Sequence, residues 1–251
     1  MKNYLIILVA SVLAGATNSI AGGGTLITFP ALVWVGVNPL SANVTNTVAL
    51  WTGSVTGAWG FKERLYHAKE LLKFLTLPSL LGGTLGAYFL MITPHKVFDF
   101  IVPFLVLFAT VLLALNDKIH RFTLEESADK KKTSLVIVFV LQFLTSLYGG
   151  YFAAGIGILM LATLGIAGID DIHTANGIKN VLSLFINITS GLVLIFSGKV
   201  VWVYAFILML GFALGGYLGA VISQRFDGKK VKNFVVLWGF ILAVMFWVRK
   251  V

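Results

Sequence analysis

The sequence predicts an all-α polytopic membrane protein of about ten membrane segments, eight long and two short, arranged as a five-plus-five inverted repeat. Three observations predict it. The 251-residue chain is 58% hydrophobic and only 12% charged, with mean hydropathy +0.94, far above the apolar share of a water-soluble domain. Long apolar runs recur along its whole length, and the charged residues gather in the gaps between them. Sliding the chain by 133 residues lays its first half on its second without a gap over residues 21–87.

The apolar runs fall near 3–21, 24–37, 40–61, 71–92 and 97–115, then 135–154, 156–169, 174–197, 200–223 and 231–248. The order is long, short, long, long, long, played twice. The repeat brings Ala21, Gly22, Gly24 and Leu26 onto Ala154, Gly155, Gly157 and Leu159. It also brings Ala42 and Asn43 onto Ala175 and Asn176, and Gly82, Gly83, Gly86 and Ala87 onto Gly215, Gly216, Gly219 and Ala220. This divides the chain into a first transmembrane repeat at 1–116, a cytoplasmic linker at 117–133 and a second repeat at 134–251. The opening "MKNYLIILVASVLAGA" has the lysine, apolar core and Ala14-x-Ala16 of a signal peptide. The repeat has its own counterpart of this segment near 134–154, so it is read as the first membrane segment.

A single helix over residues 3–37 would measure about 52 Å against about 30 Å of hydrocarbon, so the chain must turn back within it. Gly22, Gly23 and Gly24, and in the second half Gly149, Gly150, Gly155 and Gly157, lie where that turn falls. Each pair of segments returns to the side it left. Each half then makes an odd number of net crossings, and the halves run oppositely through the bilayer. Five crossings per half put twelve Lys and Arg on one face, among them Lys62, Arg64, Lys130, Lys131 and Lys132, against five on the other. The basic face is the cytoplasmic one, which places both termini outside a cell (inner) membrane and the central loop inside.

A formal net charge of +9 would raise nucleic acid as a partner for a water-soluble chain. Here cytoplasmic retention and anionic headgroups account for it, and no nucleic acid is expected. The absence of cysteine excludes disulfides, thiolate metal sites and cysteine nucleophiles. His67, His95, His120 and His173 lie in or beside loops without metal-ligand spacing, and among the acids only Asp99 enters a segment, at its edge. Neither an enzyme nor a metal or cofactor is expected. Gly82 and Gly86, and Gly211, Gly215 and Gly219, stand four residues apart and read as helix-packing faces. Pro30, Pro78, Pro94 and Pro103 read as kinks or segment ends.

The only basic residue well inside a segment is Lys179, in "TANGIKNVLSL", with Asn176 and Asn180 beside it on the helix. Two readings stand: the ammonium snorkels to the interface or pairs with Asp170 or Asp171, or it forms the positive wall of an anion pathway. The first-half counterpart, "SANVTNTVALW", offers Asn43, Thr45 and Asn46 and no lysine. These amides and hydroxyls either bind helix to helix or face the same polar site from the opposite half. The helices that restart after the glycine breaks present free N–H groups and a positive dipole end, which attract anions. The alternative is that the glycines serve tight packing alone.

The stretch "GATNSIAGGGTLITFPALVWVGVNPLSANVTNTVAL" resembles the sulfite exporter TauE/SafE family, and "GGYFAAGIGILMLATLGIAGIDDIHTANGIKN" resembles its second half. The resemblance covers nearly the whole chain. It implies a permease for sulfur-containing or related organic anions such as sulfite, sulfoacetate or other sulfonates. By position, Gly22, Gly23, Gly24, Pro30, Thr45 and Asn46 match the first motif, and Gly155, Gly157, Lys179 and Asn180 the second. The second half departs in having Thr163 where the repeat would place a proline.

The expected protein is therefore a secondary transporter that binds a small anion near the midplane, between the two repeats. Thr25, Asn43 and Asn176 join the motif residues in the candidate site. The expected partners are the anionic substrate and the bilayer, with pairing of two copies left open. A passive anion channel, an intramembrane enzyme and a structural subunit are the alternatives.

Overall fold

The computed structural model describes residues 2–20, 22–128 and 134–223, together with 236, 237, 240, 241 and 244. Among these residues the chain is all-helical. The helices are α1 (Lys2–Ile20), α2 (Thr25–Trp34), α3 (Pro39–Gly60), α4 (Lys69–Ile92), α5 (His95–Ala128), α6 (Leu135–Tyr151), α7 (Ile156–Ile166), α8 (Ile172–Ile195) and α9 (Trp202–Ser223), with a 3-10 segment at Lys62–Ala68 between α3 and α4. The tenth expected segment, 231–248, falls almost wholly outside the described residues.

Among the described residues five stretches are long and apolar enough to cross a bilayer: α1, α4, His95–Leu115 of α5, α8 and α9. The chain is a multi-pass membrane protein. In lipid every backbone group must be satisfied within the chain, which is why helices carry these spans. The short helices α2 and α7 have 10 and 11 residues, about 15 Å each, half of a bilayer core. Asn38 starts α3 by accepting from the Ser41 N–H at 2.9 Å, with Pro39 at the first helical position.

The polar stretch after residue 115 differs from its reading as a loop, because α5 runs on to Ala128. Residues 116–128 contain no glycine or proline to stop a helix and several strong helix formers. Pro30, Pro78 and Pro103 sit within α2, α4 and α5, while Pro94 directly precedes α5.

α1 packs on α9 and α4 on α6, while α3 meets both α9 and α8, and α8 meets α4. Small residues make these contacts close. A Cβ on Gly82 would run into the carbonyl of Phe143 at 2.7 Å, and one on Gly215 into the carbonyl of Val12. The glycine ridges read from the sequence are thus the faces on which α4 meets α6 and α9 meets α1. Phe100 of α5 and Leu210 of α9 are exposed, 71% and 65%, and belong to the lipid-facing surface of a membrane protein.

Candidate functional site

Two interruptions lie at the heart of the molecule. α1 ends at Ile20 and α2 begins at Thr25; α6 ends at Tyr151 and α7 begins at Ile156. Gly22 and Gly155 both adopt φ of +79°, a left-handed backbone open to glycine at little steric cost. The chain reverses at the first break, since a Cβ on Gly24 would run into the carbonyl oxygen of Ala14. The two breaks touch: the Gly155 N–H donates to the Gly22 carbonyl at 3.1 Å, and a Cβ on Gly22 would strike the Gly157 backbone, its nitrogen at 2.7 Å.

The helices that restart here are uncapped. Gly24 precedes α2 and Gly155 precedes α7, and neither helix start carries a side-chain cap. The Ile27 N–H turns back to Gly24 and the Ile158 N–H to Gly155. The first N–H groups of each helix, on Thr25, Ile156 and Gly157, have no intrahelical acceptor, and all three residues are buried. Two positive dipole ends therefore sit in the protein interior.

The first of the two readings of Lys179 does not hold. It is 1% exposed, and its ammonium donates to the carbonyls of Asn18 at 2.9 Å and Ser19 at 2.8 Å and to Oδ1 of Asn176 at 2.9 Å. Its three donors are thus all used. The lysine neither snorkels nor pairs with an acid. Asp171 instead caps α8, accepting from the Thr174 hydroxyl at 2.6 Å and the Thr174 N–H at 3.0 Å. The hydroxyl bond from Thr174 is the main reason its carboxyl is held below the usual carboxylate range. Asn180 adds a donor to the Ser19 carbonyl at 3.3 Å, and the Lys179 stem lies against Gly157, 3.2 Å from where a Cβ would stand.

The first half is built differently. Asn46 accepts from the Thr28 hydroxyl at 2.6 Å and donates to the Thr25 hydroxyl at 3.2 Å, tying α3 to the first turn of α2. Asn43 donates through Nδ2 to the Tyr151 carbonyl at 2.9 Å, reaching the end of α6. Among the described residues Oδ1 of Asn43 and the Thr47 hydroxyl have no hydrogen-bond partner, though both side chains are fully buried. Thr45 turns elsewhere: its hydroxyl accepts from the Val201 N–H at 2.9 Å, ahead of α9.

Of the candidates, Gly22, Gly155, Gly157, Asn176, Lys179 and Asn180 thus gather around the end of α1. Gly24, Thr25 and Asn46 group at the start of α2, while Gly23 packs against Leu113 of α5. Asn43 stands at the end of α6 and Thr45 apart. Sequence reasoning missed Asn18, Ser19 and Tyr151, which contribute through carbonyls, and Thr28 and Thr47. The free carbonyls at a helix end carry partial negative charge, so an ammonium beside a broken helix was the available signal. A crevice of about 350 Å³ between α3, α8 and α9 is lined by Trp51, Asn187, Leu192, Trp202 and other mostly apolar residues, and none of the candidates lines it.

The chain is similar to proteins of matching length. It is 29% identical over 238 residues to the "Probable membrane transporter protein ORF9" of a Sinorhizobium species, covering 94% of this chain and 89% of that one. It is 26% identical to the "Probable membrane transporter protein" of Haemophilus influenzae, covering 91% and 88%. It is also 26% identical to the "Probable membrane transporter protein YfcA" of Escherichia coli K12, covering 92% and 85%. No solved structure matches. The family described as "Sulfite exporter TauE/SafE" matches residues 7–246. A pair of glycine breaks joined backbone to backbone beside a buried lysine is thus the interior of a protein that belongs to the TauE/SafE family of membrane transporters.

Proposed function

We propose that the chain is a secondary transporter for a small anion, of the sulfite, sulfoacetate or sulfonate kind that its family suggests, and that the anion binds where the two breaks meet. The observation that carries this reading is the pair of buried, uncapped helix starts at Thr25 and Ile156, the second of them beside Lys179. Helix N-termini bind anions through free N–H groups and the dipole, and broken helices at membrane depth supply them in transporters. Lys179 contributes a positive charge that no carboxylate neutralises. Asn46 and Thr25 are the side chains nearest one helix start, and Asn176 and Asn180 hold the lysine.

A five-plus-five duplication supports the same reading. Gly83 packs against Ile186 and Thr189; Gly216, 133 residues later, packs against Gly53 and Thr56, which lie 133 residues before those two. Asn187 donates to the Ser54 hydroxyl at 3.0 Å, and these two positions are themselves 133 apart. A residue and its own repeat counterpart touch only on the axis that relates the halves. In the inverted arrangement both termini lie outside and the central loop faces the cytoplasm of a cell (inner) membrane, as the loop charges favour. The contact of Gly22 with Gly157 is then the closed position of the pathway, and one half moving against the other opens it.

The test is a panel of sulfite, sulfate, sulfonates and carboxylates read by thermal shift of the purified chain, followed by flux into vesicles. A transported anion raises the melting temperature of the native chain and not of Lys179→Ala. Saturable uptake accelerated by the same anion inside the vesicle identifies a carrier; unsaturable flux without such exchange identifies a channel and rejects the proposal.

A further inference from the structure

The two halves treat their broken helices unequally. At the end of α1, the carbonyls of Asn18 and Ser19 and Oδ1 of Asn176 receive the ammonium of Lys179. Shifted by 133 residues, these groups correspond to the carbonyls of Tyr151 and Phe152 at the end of α6 and to Oδ1 of Asn43. The residue corresponding to Lys179 is Asn46, too short to reach across and engaged with Thr25 and Thr28 on α2. The residue corresponding to Asn180 is Thr47.

The end of α6 therefore keeps the acceptors of the lysine site without the lysine. Asn43 is anchored there by its Nδ2 bond to the Tyr151 carbonyl at 2.9 Å, which brings its amide oxygen to the same helix end. That oxygen and the Thr47 hydroxyl, one turn further along the same face of α3, have no partner among the described residues and are 0% exposed. Buried acceptors left unpaired are costly, more so in a low dielectric. A helix C-terminus adds partial negative charge. The ligand such a set calls for is a cation.

We infer that the end of α6, together with the α3 side chains that face it, binds a monovalent alkali cation, sodium, through Oδ1 of Asn43, the Thr47 hydroxyl and the carbonyls of Tyr151 and Phe152, in the place that the Lys179 ammonium takes at the end of α1. The correspondence of positions rests on the duplication proposed above; the unpaired acceptors do not. All four oxygens are neutral and no carboxylate is among them, which suits a single charge rather than the two of calcium or magnesium. None of the four titrates near neutral pH, so a proton is not the occupant. Half-helix C-terminal ends and unwound carbonyls coordinate coupling ions in transporters. The site would make anion movement dependent on sodium, with the end of α1 holding a fixed cation and the end of α6 an exchangeable one.

The experiment uses the full chain purified in N-methylglucamine chloride, with radiolabelled sodium retention and melting curves in sodium, potassium and N-methylglucamine chloride at equal ionic strength. Sodium is expected to be retained and to raise the melting temperature selectively. Thr47→Val should weaken sodium binding about tenfold, whereas removal of a merely unpaired hydroxyl would be neutral or stabilising. Asn43→Asp should tighten binding by placing a full charge on the ligand. Asn46→Lys should make the melting temperature independent of sodium; the other two variants carry the test should this one fail to fold. Lys179→Met should keep the sodium response even where anion binding is lost, which separates this proposal from the one on which it draws. Identical melting in the three salts with no retained sodium would overturn it, as expected if a water molecule satisfies these oxygens. So would sodium binding unchanged in both Thr47→Val and Asn43→Asp.

Discussion

The ammonium of Lys179 on α8 donates to the carbonyl oxygen of Ser19 at the end of α1, 2.8 Å away and 160 residues distant in sequence. This bond joins the two halves through a side chain and a helix end rather than through an ion pair. Lys179→Met preserves the stem that lies along Gly157 and removes the head. The Asn18 carbonyl keeps the Gly22 N–H and the Ser19 carbonyl keeps the Asn180 amide, so the acceptor left without its donor is Oδ1 of Asn176, at a cost of about 1–3 kcal/mol. Equilibrium unfolding of the purified variant in detergent measures it, and a change below a few tenths would mean that water replaces the ammonium freely.

The meeting of Gly22 with Gly157 admits no side chain. In Gly157→Ala the new methyl would face the Gly22 backbone, its nitrogen at 3.2 Å, with the Lys179 stem also 3.2 Å away. Backbone cannot give way as a flexible side chain does, so a loss of about 1–3 kcal/mol is expected. Gly191→Ala, in the middle of α8 with its nearest neighbour at 3.7 Å, should stay within about 1 kcal/mol of the parent. Melting temperatures of the two variants side by side test the contrast.

Asp171 caps α8 as a carboxylate, with its folded-state pKa lowered chiefly by the Thr174 hydroxyl. A depressed carboxyl contributes stability that is fully present above the unfolded pKa of about 4 and disappears as pH falls through the folded value. Asp171→Ala should therefore cost about 1 kcal/mol at neutral pH. That difference should shrink below about pH 4. Asp171→Asn, which still caps, should lose much less. Unfolding curves of the three proteins across this pH range check the sign.

Asn187 and Ser54 meet at the junction of α8 and α3, donor to acceptor at 3.0 Å. A double-mutant cycle with Asn187→Ala and Ser54→Ala should return a coupling near 0.6 kcal/mol and no more than about 1.7 kcal/mol, the range found for hydrogen bonds between membrane helices. A coupling of zero would mean that the contact is incidental to the packing of the two helices.

The helical architecture and the positions of both breaks were legible because glycine clusters and a lone lysine are conspicuous in apolar sequence. Lys179 was legible as a residue, but its partners were not. Two of the three are main-chain carbonyls, to which every residue contributes alike, so no side-chain pattern marks them. Thr45 was grouped with Asn46 by adjacency, yet neighbours on a helix point about 100° apart, and its hydroxyl reaches Val201 instead. The extension of α5 was missed because hydropathy marks where the hydrocarbon ends, whereas a helix stops only where its backbone loses support.

That extension has a practical use. α5 is 34 residues long and its apolar part closes at Leu115, so its last 13 residues prolong the rod by about 20 Å beyond the oily zone. Small membrane proteins give electron microscopy little to align. A rigid helical fusion continued in phase from Ala128 would supply added mass, and its fixed angle to α5 would report directly on any movement of α5 against the other helices.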